Sequence, residues 1–66
     1  MFLVEITKLK DEQTPIAIHK KDDYNQALMH LHQIFSSAMA NENVLSAAVL
    51  IVDELGAVYK NEYWKR

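Results

Sequence analysis

From Phe2 to Lys10 the chain alternates, with Phe2, Val4 and Ile6 set against Leu3, Glu5 and Thr7. This is the period of two expected of a strand with one better-buried face. Asp11, Glu12 and Gln13 interrupt the pattern, and Thr14-Pro15 leads into a second short run, Ile16-Ala17-Ile18-His19. Proline is tolerated at the first positions of a strand, where no ladder hydrogen bond needs its missing N–H. The two runs therefore predict a hairpin that ends at Lys20 and Lys21.

The period then changes. Tyr24, Ala27, Leu28, Leu31, Ile34, Phe35, Ala38 and Met39 recur at three- and four-residue spacings, with no glycine or proline among them. They predict one apolar stripe on a helix of about 18 residues and about 27 Å. Asp22 or Asp23 stands where a side chain can accept from the first free backbone N–H groups, and Asn41 and Asn43 mark the end. Val44 to Val52 is apolar on both faces, Leu45, Val49 and Ile51 on one side and Ala48, Leu50 and Val52 on the other. Such a strand belongs in the middle of a sheet. Asp53-Glu54-Leu55-Gly56 has the composition of a type I turn with a following bulge, after which Ala57 to Trp64 returns as the last strand.

The order is strand, strand, helix, strand, strand, which predicts a single α+β domain over residues 1–66 with a mainly antiparallel four-stranded sheet. Strand order 2-1-3-4 puts the first and third strands in the middle. The helix then crosses over one face, and the other face stays open.

Two surfaces follow from this arrangement. No Asp, Glu, Lys or Arg occurs from Tyr24 through Asn41. The stripe away from the core is instead Asn25, Gln26, Met29, His30, Gln33, Ser36 and Ser37, and absence of charge marks the centre of an interface. Alternation assigns Leu3, Leu50, Val52, Val58 and Trp64 to the open sheet face, beside Glu5, Thr7, Lys60 and Glu62. A slip of one residue would exchange Trp64 with Tyr63 and Val58 with Tyr59. Either surface predicts self-association, a dimer foremost. A chain of 66 residues without cysteine has few other devices to supplement a small core.

Composition narrows the chemistry. A formal net charge of −2 supplies no general basic field for nucleic acid. No apolar run approaches a membrane span and the first residues lack a signal-peptide core, so the expected location is cytoplasmic, with no membrane partner. No metal site is predicted. His30 and His32 point about 200° apart on a helix, His19 lies on a strand, and the helix holds no acid to complete a ligand set. Asp22/Asp23 and Asp53/Glu54 are explained by capping and turn formation, and Ser36 and Ser37 have no neighbouring base, so no catalytic residue and no cofactor is assigned. An intersubunit pocket in which Tyr59, Tyr63 and Trp64 stack on a base near Lys60, Lys65 or Arg66 is the alternative that would bring in a nucleotide or a short nucleic acid.

The segment from Asn43-Val44-Leu45-Ser46-Ala47 through Val52-Asp53-Glu54-Leu55-Gly56-Ala57-Val58-Tyr59-Lys60 to Glu62-Tyr63-Trp64, with the helix end Ala38-Met39, resembles short uncharacterised proteins of tailed phages and prophages of Gram-positive bacteria. The resemblance implies a non-enzymatic phage-type binding protein in the host cytoplasm. Such a protein would modulate a host process or host defence by binding a protein or a small nucleotide, or serve as a minor structural or assembly component.

Overall fold

The computed structural model describes residues 1–66 and contains β1 (Phe2–Leu9), β2 (Ile16–Lys20), α1 (Tyr24–Ala40), β3 (Val44–Val52) and β4 (Val58–Lys65). The strands form one antiparallel sheet in the order β2-β1-β3-β4. This is the predicted ββαββ arrangement, with α1 on one face. No helix is long and apolar enough to cross a membrane.

Local chemistry accounts for the joints. Asp23 caps α1 by accepting from the Gln26 N–H at 2.9 Å. In the β3–β4 turn the Asp53 carboxylate accepts from the Leu55 and Ala57 N–H groups, both at 2.9 Å, and Gly56 takes a φ of 90°. That conformation suits glycine, which has no Cβ to clash. In the first hairpin the left-handed position falls to Glu12, at φ 71°, while Asp11 braces the turn through the Gln13 N–H.

The core lies between α1 and the sheet. Leu3, Ala27, Leu31, Val49 and Ile51 form its larger part, and Ala38, Val44 and Ala47 a smaller one beside Trp64 and Phe35. Only 8 of 66 residues are buried, and none of them is polar. Ala27, Ala38 and Ala47 allow the helix to approach β3 closely, and α1 packs chiefly on that strand. Met39, assigned to the apolar stripe by its spacing, is exposed at the helix end.

The facing of β1 corrects the expectation. Leu3 is fully buried beneath the helix, paired with Ile51, so Glu5 and Thr7 share the helix side while Phe2, Val4 and Ile6 point to the open face. Alternation identifies two rows but not which row the helix covers. Here the more continuous apolar row is the one left outside.

Two irregularities shift the rest of the pattern. Leu9 pairs with Val44 while Lys8 pairs with Ser46, so the bulge at Leu45 turns Val44 into the core. Ile51 pairs with Lys60 and Val52 with Val58, so the extra residue Tyr59 lies in a second bulge and meets the Tyr24 ring edge-on at 6.3 Å. Trp64 consequently pairs with buried Ala47 on the helix side, and Tyr63 takes the outward place. The assignment of Leu3, Glu5, Thr7, Lys60, Glu62 and Trp64 to the open face is thus reversed, whereas Leu50, Val52 and Val58 keep it.

Arg66 fastens the far end of the helix. Its Nη2 donates to the carbonyls of Ala38, Met39 and Asn41 at 3.0, 3.3 and 2.9 Å, and its Nε to that of Val44 at 3.0 Å. The last carbonyls of a helix have no partner within it, and the negative end of the helix dipole favours a cation there. The guanidinium also lies 5.0 Å from the centre of the Trp64 ring. Replacement Arg66→Ala is expected to lower stability by about 1–2 kcal/mol, and Arg66→Lys to restore only part, since an ammonium lacks the planar fork. Urea unfolding measures the loss, and faster amide exchange at Asn41 and Val44 locates it.

Candidate functional site

The open face is the first site. Along β1, Phe2, Val4 and Ile6 point outward. Their β2 partners are Lys20, Ile18 and Ile16, and their β3 partners are Val52, Leu50 and Ala48. On β4, Val58, Asn61 and Tyr63 continue the three rows. Ten of these twelve positions are apolar, counting Tyr63, and Asn61 and Lys20 are the others. Ile16, Ile18, Val58 and Tyr63 are 64, 68, 56 and 64 % exposed. Strands about 4.8 Å apart and residues about 3.4 Å apart make this a surface of about 400 Å². On a chain with 4485 Å² of accessible surface that is near a tenth, and apolar patches of this order often serve as contact surfaces.

The second site lies on the helix side. Because α1 sits over β3, the strip above β1 is only partly covered, and a groove of about 400 Å³ opens there. Glu5 and Thr7 line its floor, with His30, Gln33 and Ser37 along its wall. On the other side of His30, Lys21, Gln26, Met29 and Gln33 line a second depression. Four residues of the charge-free helix back, Gln26, His30, Gln33 and Ser37, therefore border grooves, while Ser36 and much of Met29 face outward.

At the edge of the first groove three elements converge. Leu3 pairs with His19 and Glu5 with Ala17, so Glu5 and His19 are diagonal neighbours on the helix side. His30 reaches down from α1, its ring 4.6 Å from that of His19 at 68°. The His19 Nε2 lies 3.7 Å from a Glu5 carboxylate oxygen, too far for a hydrogen bond. That atom and the His30 Nδ1 are both shut off from solvent and have no partner. Sequence spacing compared His30 with His32, which points elsewhere. The signal available was the alternation that puts His19 and Glu5 on one face, once β1 is turned correctly.

Tyr59, Tyr63 and Trp64 are not brought together. Tyr63 faces outward, Tyr59 meets Tyr24, and Trp64 packs beside the core under Arg66. Arg66 is engaged with backbone carbonyls. Comparison with protein-family models, with curated proteins and with solved structures finds no match for the chain.

Burial holds the His30 imidazole below the ordinary histidine range, helped by the positive charge of Lys21 and by His19, with Glu5 opposing. A depressed histidine pKa means that the unfolded chain takes up this proton first as pH falls. In metal-free buffer, stability should therefore decline as pH drops below about 6.5 and level off under the folded-state value. His30→Gln should show a smaller decline between pH 7.5 and 5.5 in urea midpoints. An undiminished pH dependence in that variant would show that His30 is not the group responsible.

Proposed function

We propose that the protein is a small non-enzymatic binding protein that works as a homodimer, closed by the open faces of two sheets. The observation that carries this reading is the uncovered row structure Phe2/Val4/Ile6, Ile16/Ile18 and Ala48/Leu50/Val52. Apolar surface of this extent costs free energy in water, roughly 25 cal/mol per Å². The centre of the face carries no charge that would select a differently charged partner, so a second copy of the same face is a suitable cover. Two sheets packed about 10 Å apart would interdigitate these side chains as in a β-sandwich. Association also adds to a core of eight residues.

Within that dimer the helix and its grooves remain outside. The uncharged stripe containing Gln26, Met29 and Gln33 is the surface available to a foreign protein, and the phage-type resemblance supports a role in modulating a host process. A minor structural or assembly role would use the sheet face alone.

Light scattering at several concentrations tests the proposal with the natural sequence, Leu50→Glu and Met29→Glu. Leu50 is central on the open face, and a carboxylate buried there without a partner should raise the dimer dissociation constant about 100-fold or more. The natural chain and Met29→Glu should be dimeric, and Leu50→Glu monomeric with an unchanged far-UV spectrum. A natural chain that stays monomeric sinks the proposal. Dissociation by Met29→Glu alone would move the interface to the helix back.

A further inference from the structure

We infer that Glu5, His19 and His30 form a binding site for a divalent transition-metal ion, with Zn²⁺ the best match, that ties β2 to the helix. The three side chains each offer one ligand atom, and these atoms all lie within 4.8 Å of one another. They come from β1, β2 and α1, so the cluster is built by the tertiary fold and not by one flexible segment.

The two orphaned nitrogens distinguish this cluster from a chance gathering of polar groups. A buried imidazole nitrogen without a partner costs about as much as a lost hydrogen bond, and such atoms are rare in folded chains. Here there are two of them, the His30 Nδ1 and the His19 Nε2, the latter 3.7 Å from a Glu5 carboxylate oxygen. A single cation between them would engage both lone pairs and the carboxylate at once. Metal–nitrogen bonds of about 2.0–2.1 Å place tetrahedral ligand atoms about 3.3 Å apart. The 3.7 Å separation of His19 Nε2 and Glu5 is close to that edge, and the other separations, at most 4.8 Å, would close by torsional movements of up to about 1.5 Å.

The donor set selects the ion. Two imidazoles and one carboxylate suit Zn²⁺, Co²⁺ and related first-row ions, whereas Mg²⁺ and Ca²⁺ prefer oxygen. Three protein ligands leave a coordination position for water, and the neighbouring groove lined by Thr7, Gln33 and Ser37 gives it solvent access. Lys21 is the one cation beside His30, and its charge works against the ion. Glu5 supplies the opposing charge, so the carboxylate is required as well as the imidazoles.

The fold gives the ion a task. β2 is five residues long, occupies a sheet edge, and is held chiefly by its hydrogen-bonded neighbour β1. An ion joining His19 to His30 would fix this edge strand to the helix in a chain without disulfides, where metals commonly stabilise small domains. The cluster is on the helix side and the apolar dimer face on the other, so this inference stands independently of the dimer.

Titration of the untagged, chelator-treated chain with Zn²⁺ and Co²⁺ tests it, read by calorimetry, by the visible spectrum of Co²⁺ and by the thermal midpoint. The expected result is one ion per chain, a Co²⁺ spectrum of low-coordinate nitrogen and oxygen ligation, and a midpoint that rises with free Zn²⁺. His19→Gln and Glu5→Gln, each checked for folding by circular dichroism, should weaken binding about 100-fold or more, exceeding the usual effect of losing an outer-shell partner. His32→Gln, on the exposed helix surface, and the dimer-face variant Leu50→Glu should bind as the natural chain does. Absence of Zn²⁺ binding at millimolar concentration, or equal binding by a folded His19→Gln or Glu5→Gln, would overturn the inference. Loss of binding on His32→Gln would assign the ion to a surface histidine instead.

Discussion

A helix with its side chains is about 10–12 Å wide, whereas four strands at about 4.8 Å spread over about 19 Å. One helix therefore cannot cover even one face of this sheet. Placed over β3, α1 seals Val49 and Ile51 and reaches Leu3, and the strip above β1 is left as a groove. The opposite face has no covering layer at all. Both candidate sites follow from this mismatch of widths, the groove lined by Glu5 and His30, with His19 beside them, on one side and the apolar rows on the other.

The position of the helix is itself set by small side chains. Ala27 and Ala38 on α1 and Ala47 on β3 are buried, and larger residues there would lift the helix from the sheet. Arg66 then joins the end of β4 to the end of α1 through the carbonyls of Ala38, Met39 and Asn41. The guanidinium thus does at one end what Asp23 does at the other, and both supply opposite charge to the helix dipole. A basic residue at the last position of this sequence reads as a solvated surface group until the fold places four carbonyls around it.

Element order, strand order and the cap and turn chemistry were legible because each is written in adjacent residues, as in the Tyr24–Met39 spacing or Asp53 with Gly56. Facing was less legible. Phe2, Val4 and Ile6 outscore Leu3, Glu5 and Thr7 as a core row, yet the covered row is the weaker one, because covering depends on where the helix lies. The bulges at Leu45 and Tyr59 then moved Val44 inward and exchanged Trp64 with Tyr63, and a bulge leaves little trace in composition. The proximity of His19 to His30 was beyond local spacing, since it depends on the turn of β1, the length of the crossover and the helix offset together.

The uncharged helix back takes on a different meaning once the groove is seen. Gln33 and Ser37 border the strip over Glu5 and Thr7, where a fixed charge would meet a half-covered carboxylate and two partly covered imidazoles. A lysine at either place would act on His30 as Lys21 already does, and an acid would compete with Glu5 for the same positive partners. Neutral polar side chains avoid both effects while still wetting the groove. Met29, at the second depression beside Lys21, is apolar and stays 64 % exposed. The charge-free run therefore has two physical sources: lining of the groove suits Gln33 and Ser37, and a contact surface centred on exposed Met29 suits the rest of the stripe.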